Sequence, residues 1–437
     1  MSFITQTNNI MSVFALVDCN NFYVSCQRVF EPKYENRPVV VLSNNDGCVV
    51  ARSNEAKNFG IPMGAPYFKC KSELQKIDCK VFSSNYSLYG DMSARVMKII
   101  NQACENIEIY SIDEAFLDLS NLPNKDLIPF CQNLKNYIKK CTGIPVSFGL
   151  GQTKTLAKLA NNLAKSDMRT GPKLYNGVFS FIDIDELHKQ EIFTQINVSE
   201  LWGVGRKYSK KLAHNEIHTV SQLLNQNSDW IKENLTIQGA KLVQELNGNI
   251  CHNLELFSPD KKSITSSRSF GKTITKLDNL KQAATLHATL IGEKLRKSKQ
   301  CTSFLHLFVM SDRFKSNYQY KSVNIKLSSP TNFTPELIKK TVLEIEKLFD
   351  KETCYKKIGI IALDLQKEGD IQQTLFENKL ISSQIEADTM QAIDKINQKF
   401  GKLTVRSARL GYKNPWEMKQ ELASPNYTTS WKELLKI

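Results

Sequence analysis

Tyr110-Ser111-Ile112-Asp113-Glu114-Ala115-Phe116 places two adjacent carboxylates inside an otherwise apolar, β-prone run. Ile107, Ile109 and Ser111 alternate with Glu108, Tyr110 and Ile112, the period of a strand, and Ala115-Phe116-Leu117 resumes the apolar character straight after the acids. The end of a core strand is therefore asked to carry charge. Carboxylates set there are pushed toward protonation by desolvation unless a cation keeps them ionised, and Mg²⁺ is a hard, oxygen-preferring cation suited to that task. A solvated hairpin tip is the alternative for this stretch taken alone.

A second acid bears on that choice. Val13-Phe14-Ala15-Leu16-Val17 is a continuous apolar run of the kind found in central buried strands, and it ends in Asp18. If the two strands are neighbours in one sheet, Asp18, Asp113 and Glu114 meet at one edge, the donor set of a two-metal phosphoryl-transfer site.

The rest of the chain supplies elements to surround such a sheet. Asp91-Met92-Ser93 reads as the cap of a helix whose apolar positions Val96, Ile99, Ile100 and Ala103 follow helical spacing. Pro145 to Gly151 reads as a strand, and a helix from about Thr153 turns Leu156, Leu159, Ala160 and Leu163 inward, leaving Lys154 and Lys158 as solvated basic positions. From Ser263 the pattern runs strand, helix, strand, strand, helix, strand, which is βαββαβ, the split βαβ arrangement. The expected class is α+β with several domains.

Charge points to a polyanion. The 437 residues carry 58 Lys and Arg against 44 Asp and Glu, a net of +14. Residues 261–366 hold 20 basic and 9 acidic residues, a net of +11, so about a quarter of the chain holds most of the excess. The first strand of that segment reads as Ile264 to Phe270, and an open sheet edge lined with Arg268, Lys272 and Lys276 would suit a row of phosphates. A second basic feature is Leu201-Trp202-Gly203-Val204-Gly205-Arg206-Lys207, where Gly203 and Gly205 let main-chain N–H groups approach a phosphate at the start of a helix and Arg206 and Lys207 add charge. Eleven cysteines and six histidines show no zinc spacing, so the cysteines read as free thiols of a reducing, cytoplasmic compartment. No apolar run reaches the roughly 18 residues needed to span a bilayer, and no secretory signal opens the chain. Residues 1–10 read as a loosely ordered tail, with Met11 an alternative start.

Several strings together resemble the Y-family of translesion DNA polymerases, and within it the UmuC-type catalytic subunits of bacterial DNA polymerase V. They are Asp18-Cys19-Asn20-Asn21-Phe22-Tyr23, Ser111-Ile112-Asp113-Glu114-Ala115-Phe116, residues 39–48, residues 152–160 and Ser424-Pro425-Asn426-Tyr427-Thr428-Thr429. The resemblance covers the chain from Met11 onward. It implies a right-hand polymerase with these parts: an N-terminal tail at 1–11, a catalytic palm at 12–29 and 83–172, small fingers at 30–82, a thumb with a helix-hairpin-helix at 173–260, a DNA-gripping βαββαβ little finger at 261–366, and an extension at 367–437.

The implied activity is error-prone, template-directed DNA synthesis past lesions in the SOS response, without proofreading. Two Mg²⁺ ions would sit on Asp18, Asp113, Glu114 and the main-chain carbonyl of Cys19. Phe22 and Tyr23 would meet the nucleotide sugar, with Tyr23 the ring that excludes a 2′-hydroxyl, and Lys57 and Lys165 would meet the triphosphate of a dNTP. Where many relatives carry Tyr-x-x-Arg this chain has Asn54 and Lys57, a point charge in place of a fork. Gly203, Gly205, Arg206, Lys207, Arg268 and Lys272 would hold primer-template DNA. Gln372, Leu375 and Phe376 resemble the short peptide that docks on the sliding clamp, and the extension resembles the region that meets a UmuD′-like dimer and RecA. A nucleotide cyclase on a related palm, or a non-catalytic DNA-binding scaffold, are the alternatives.

Overall fold

The structure, a computed structural model, describes residues 12–170, 175–257, 259–370, 380–411, 414 and 416–435. The N-terminal tail and the clamp-type peptide with Gln372, Leu375 and Phe376 lie outside these residues. Two compact units emerge, one from residues up to 257 together with those from 422 on, the other from residues 259–421.

The first unit opens with β1 (Phe14–Cys19) and α1 (Phe22–Phe30), followed by β2 (Val39–Leu42), β3 (Val49–Arg52), α2 (Asn54–Asn58), α3 (Tyr67–Lys76) and β4 (Lys80–Ser83). Next come α4 (Tyr86–Ala103), β5 (Ile107–Ile109), β6 (Glu114–Asp118), α5 (Asn124–Thr142), β7 (Val146–Gly151), α6 (Lys154–Thr170) and β8 (Val178–Ser180). The helices α7 (Glu186–Gln195), α8 (Arg206–His214), α9 (Val220–Leu224) and α10 (Ser228–Leu246) complete it. Two sheets result, a five-stranded one in the order β5-β6-β1-β7-β8 and a three-stranded one in the order β3-β2-β4.

β1 is flanked by antiparallel β6 and β7, which explains its unbroken burial. Alternate residues serve two cores. Ala15, Val17 and Cys19 join the cluster with α4 and α5, whereas Phe14 and Leu16 face Phe116 and Ala157 on the α6 side. Helix α6 lies very close to β7. A Cβ built at Gly149 would stand 2.0 Å from the Asn161 main-chain nitrogen, so glycine there permits the contact. Asn161 Nδ2 then donates to the carbonyls of Leu16 and Ser147, at 3.2 and 2.9 Å. Leu156, Leu159 and Ala160 point the other way, into a core shared with the helices after β8. That core is fastened by Glu245 at the end of α10, which is fully buried. Its carboxylate accepts from the Thr155 N–H and hydroxyl at 3.0 and 2.8 Å and from the N–H groups of Cys251 and His252 at 2.9 Å each.

Two sequence expectations change here. α4 begins at Tyr86, not near Asp91. Asn85 is its cap, accepting from the Leu88 N–H at 3.1 Å, while Asp91 sits within the helix and pairs with Arg95 one turn on. Lys154, read from the sequence as a solvated basic position, is buried, and on β5 Glu108 is buried while Ile109 is 59% exposed. Glu108 is paired with Lys154, itself 3% exposed, so the charge on this strand faces inward and is neutralised there.

The second unit contains β9 (Ile264–Ile274), α11 (Leu277–Lys297), β10 (Gln300–Ser311), β11 (Tyr320–Thr331), α12 (Thr334–Leu348) and β12 (Tyr355–Lys367), followed by α13 (Leu380–Phe400). The βαββαβ order is as read from the sequence. Its four-stranded antiparallel sheet runs β11-β10-β12-β9 and packs one apolar face against α11 and α12. Arg296 ties α13 down by a two-pronged pair to Asp394 at 2.7 and 2.8 Å, and also donates to the Asn332 carbonyl.

The C-terminal residues return to the first unit. The Ser83 N–H donates to the Leu422 carbonyl at 2.9 Å, Asn85 Nδ2 donates to Ser424 Oγ and the Pro425 carbonyl at 3.1 Å each, and Tyr427 stacks on Phe30 at 4.7 Å.

Candidate active site

The three acids are placed by strand parity and one serine. Asp18 has the parity of Phe14 and Leu16, so it faces α6, and Glu114 has the parity of Phe116 on the same side. The two are direct register partners across β1 and β6. Asp113 closes the turn before β6. Its carbonyl accepts from the Cys19 N–H at 2.9 Å, and its carboxylate accepts from the Ser111 hydroxyl at 2.7 Å. The same Ser111 oxygen accepts from the N–H groups of Asp113 and Glu114 at 3.2 and 3.1 Å, which uses one donor and two acceptor sites of a single hydroxyl to set both acids.

Helix α6 answers the acids with a stripe of lysines. Lys154, Lys158 and Lys165 stand at i, i+4 and i+11, one face of a helix, and meet Glu108 on β5, Glu114 on β6 and Asp18 on β1. Lys158 is therefore part of the site rather than a solvated position, and the i, i+4, i+11 spacing is the signal that could have shown it. Lys165 Nζ is 2.5 Å from Asp18. Burial nonetheless raises the Asp18 carboxyl to about 7, with Glu114 and Asp113 adding to the rise and Lys165 opposing it.

Beside Asp18 lies a pocket of about 160 Å³ lined by Asn20, Asn21, Ser25, Arg28, Asn54, Lys57, Pro145 and Lys165. It brings Lys57 and Lys165 to one cavity. Lys57 donates to Asn21 Oδ1, and Asn21 Nδ2 donates to Asn54 Oδ1 at 3.0 Å, so α1 and α2 share this wall. Arg28 is a third cation that the sequence reading missed. It follows Asn21 and Ser25 at helical spacing on α1, and it pairs with Glu55 at 2.9 Å.

Tyr23 is half-buried, stacked on Tyr89 at 4.3 Å and 13° and edge-on to Tyr86 at 6.0 Å, so its ring is held from behind. Phe22 is placed differently from expectation. Its side chain is 3% exposed in the main core, because the buried face of α1 carries it beneath the sheet rather than to the pocket. Gly203 has a φ of +92°, in the region that favours glycine, and Gly205 precedes α8, with Arg206 and Lys207 exposed in its first turn. In the second unit, Arg268 and Lys272 are exposed on β9, which is an edge strand.

The donor set of Asp18, Asp113 and Glu114 suits a hard divalent cation, which would offset the burial, and the lesser repulsion by Glu114 and Asp113, that raise the Asp18 carboxyl. With Lys165 and Lys158 on two of the carboxylates, no three acidic, histidine or cysteine side chains close on one point among the described residues.

Residues 17–162 match the profile of the impB/mucB/samB family, and residues 261–375 match that family's C-terminal domain. The UmuC protein of Salmonella typhimurium is 40% identical over 428 residues, covering 97% of this chain and 100% of that protein. The chain belongs to the impB/mucB/samB family. Another member, SamB of Salmonella typhimurium, is 37% identical over 97% of this chain and 99% of its own length. Residues 387–437 match a domain of unknown function that accompanies the family segments here. Among solved structures, a Y-family DNA polymerase chimera of Dbh and Dpo4 superimposes with a TM-score of 0.64 at 19% identity, covering 81% of this chain and 99% of that one. DinB from Sulfolobus solfataricus gives a TM-score of 0.51 at 21% identity over 80% of this chain and 98% of its own. This family member is thus UmuC-like in sequence and has the Y-family polymerase fold. No helix among its described residues is long and apolar enough to cross a membrane.

Proposed function

We infer that this chain is an error-prone, template-directed DNA polymerase that carries out translesion synthesis in SOS mutagenesis, using primer-template DNA and dNTPs. The observation that carries the site assignment is the double role of Lys165, which pairs with Asp18 and lines the neighbouring cationic pocket, so acids and phosphate-type groups share one wall. The five-stranded sheet is the palm, the three-stranded sheet the small fingers, α7 to α10 the thumb and the βαββαβ sheet the little finger.

Asp18, Asp113, Glu114 and the Cys19 carbonyl would hold two Mg²⁺, which when bound activate the primer 3′-hydroxyl and neutralise the transferring phosphate. The protein's own contribution is placement. Lys57, Lys165 and Arg28 offer positive charge to the triphosphate, and the Asn21–Asn54 bond keeps α1 and α2 together around it. Tyr23, backed by Tyr89, occupies the space a 2′-hydroxyl would need. Gly203 and Gly205 give main-chain access to a backbone phosphate, and Arg206, Lys207, Arg268 and Lys272 add sequence-independent grip.

Further partners follow from the family resemblance. Gln372, Leu375 and Phe376 dock on the sliding clamp, the extension meets a UmuD′-like dimer and RecA, and the enzyme works in the cytoplasm. Primer extension with Mg²⁺ on gapped DNA carrying an abasic site tests the reading. Template-dependent insertion opposite the lesion supports it, and the absence of any nucleotide incorporation, with DNA binding intact, would leave the scaffold alternative.

A further inference from the structure

Three lysines of one helix face meet three acids, but their surroundings differ. Lys154 and Glu108 are sealed in, with side chains 4% and 11% exposed, and the Glu255 N–H adds a third partner at 2.7 Å. That pair is part of the packing. Lys158 and Glu114 are not sealed. Lys158 Nζ donates to both carboxylate oxygens at 2.9 and 3.1 Å, while 20% of its side chain stays open to solvent.

The ammonium is also held by two rings. It lies 4.7 Å from the centre of Tyr110 and 5.6 Å from that of Trp202, and the two rings stand at 89° to one another with centres 5.7 Å apart. Two ring faces and one carboxylate define a berth for a single positive charge beside Glu114. A divalent cation on Glu114 would bring two further positive charges against that ammonium, so the occupied berth opposes the cation.

We propose that Lys158, boxed by Tyr110 and Trp202, is a built-in counterion that a divalent cation displaces from Glu114, so that this positioning lysine sets the cation affinity of the site. The inference rests on the assignment of Asp18, Asp113 and Glu114 as the cation-binding acids. In the absence of cation Lys158 keeps Glu114 paired beside Asp18. With a cation bound there, the ammonium would give up Glu114 while keeping the ring faces of Tyr110 and Trp202. Trp202 directly precedes Gly203, so the turn that precedes α8 supplies one wall of the berth.

Mn²⁺ binding to the full chain, followed by electron paramagnetic resonance without DNA or nucleotide, tests this apart from activity. Lys158→Met is expected to bind Mn²⁺ about tenfold more tightly than wild type, since a repelling charge is gone, whereas Lys158→Arg keeps the charge and stays within about twofold. Thermal melting gives a second reading. Lys158→Met should melt below wild type without cation and recover more on adding Mn²⁺, because at a given concentration a ligand bound only by the folded state stabilises it more the more tightly it binds. If Lys158→Met does not fold, Trp202→Ala, which removes one wall and leaves the charge, is expected to bind Mn²⁺ with an affinity between wild type and the tenfold gain. Mn²⁺ affinity of Lys158→Met, or in its place Trp202→Ala, equal to or weaker than wild type overturns the proposal. Asp113→Ala separates the two levels. When it weakens Mn²⁺ binding and Lys158→Met does nothing, only the counterion proposal fails; when wild type binds no Mn²⁺ or Asp113→Ala leaves binding unchanged, the cation site itself is wrong.

Discussion

Asp18 and Glu114 are direct cross-strand partners on β1 and β6, and each is met by a lysine of α6, Lys165 at 2.5 Å and Lys158 at 2.9 Å. Like charges opposite one another in a sheet destabilise it, and two lysines seven residues apart offset that repulsion where the chemistry requires acids.

Asp18→Asn should therefore separate stability from activity. The neutral amide keeps the shape and removes a buried charge, so at pH 7 and without divalent cation the variant should melt at or above the wild-type temperature while losing primer extension. Calorimetry and an extension assay on the same preparation check it; a clear drop in melting temperature would show that the Asp18–Lys165 pair holds the fold together.

Tyr23→Ala should admit ribonucleotides. Removing the ring opens the space in front of Tyr89, and the selection against a 2′-hydroxyl proposed for this position is steric. Single-nucleotide insertion with dNTP and rNTP measures the ratio. Unchanged discrimination would place the gate on another side chain.

The C-terminal strap should contribute to the stability of the first unit. Ending the chain after Glu421 strips the stacking partner from Phe30 and the hydrogen-bond acceptors from Asn85, a loss of roughly 2 to 4 kcal/mol for a buried aromatic and its bonds. Asn85→Ala loses the helix cap as well as the strap contacts and should cost about 1 to 2 kcal/mol. Denaturant unfolding of the two variants and wild type checks both; a truncated chain as stable as the full one would mean that the strap merely rests on the surface.

His287 should make the second unit acid-sensitive. It is 3% exposed on α11, bonded to Ser266 at 2.9 Å, and burial, with Arg268 and Lys294 nearby, lowers it to about 4. Its folded value is below its unfolded one, so between about pH 6.5 and 4 the unfolded chain takes up a proton that the folded chain refuses, and stability falls as the pH falls. The effect is on the order of 3 kcal/mol at full extent. His287→Gln should flatten that part of the stability profile, measured by urea unfolding of this unit from pH 7 to 4, and an unaltered slope would assign it to other groups.

Much of this was legible in the sequence where local signals agree with the tertiary outcome. An apolar run ending in Asp18 and a strand-like run broken by Asp113 and Glu114 both declared charge at a buried edge, and the switching periods after Ser263 gave βαββαβ. Local signals failed where the partner is distant. Lys154 and Lys158 looked solvated because their acidic partners, Glu108 and Glu114, lie 46 and 44 residues away in the chain. Asn85 was hidden as a cap because Tyr86 and Tyr89 fill the first turn of α4, the latter fully buried. The strap of Leu422, Ser424 and Tyr427 has no period to read. It is held by contacts with residues more than 300 positions earlier.

The most direct test of the central claim is single-turnover insertion of one dNTP into a primer-template with Mg²⁺, by wild type, Asp113→Ala and Glu114→Ala, with DNA affinity measured on the same proteins. The acids are assigned to cation and not to phosphate, so both variants should lose insertion by orders of magnitude while binding DNA within about twofold of wild type. Insertion by either variant at near the wild-type rate would contradict the assignment of this strand edge as the polymerase active site.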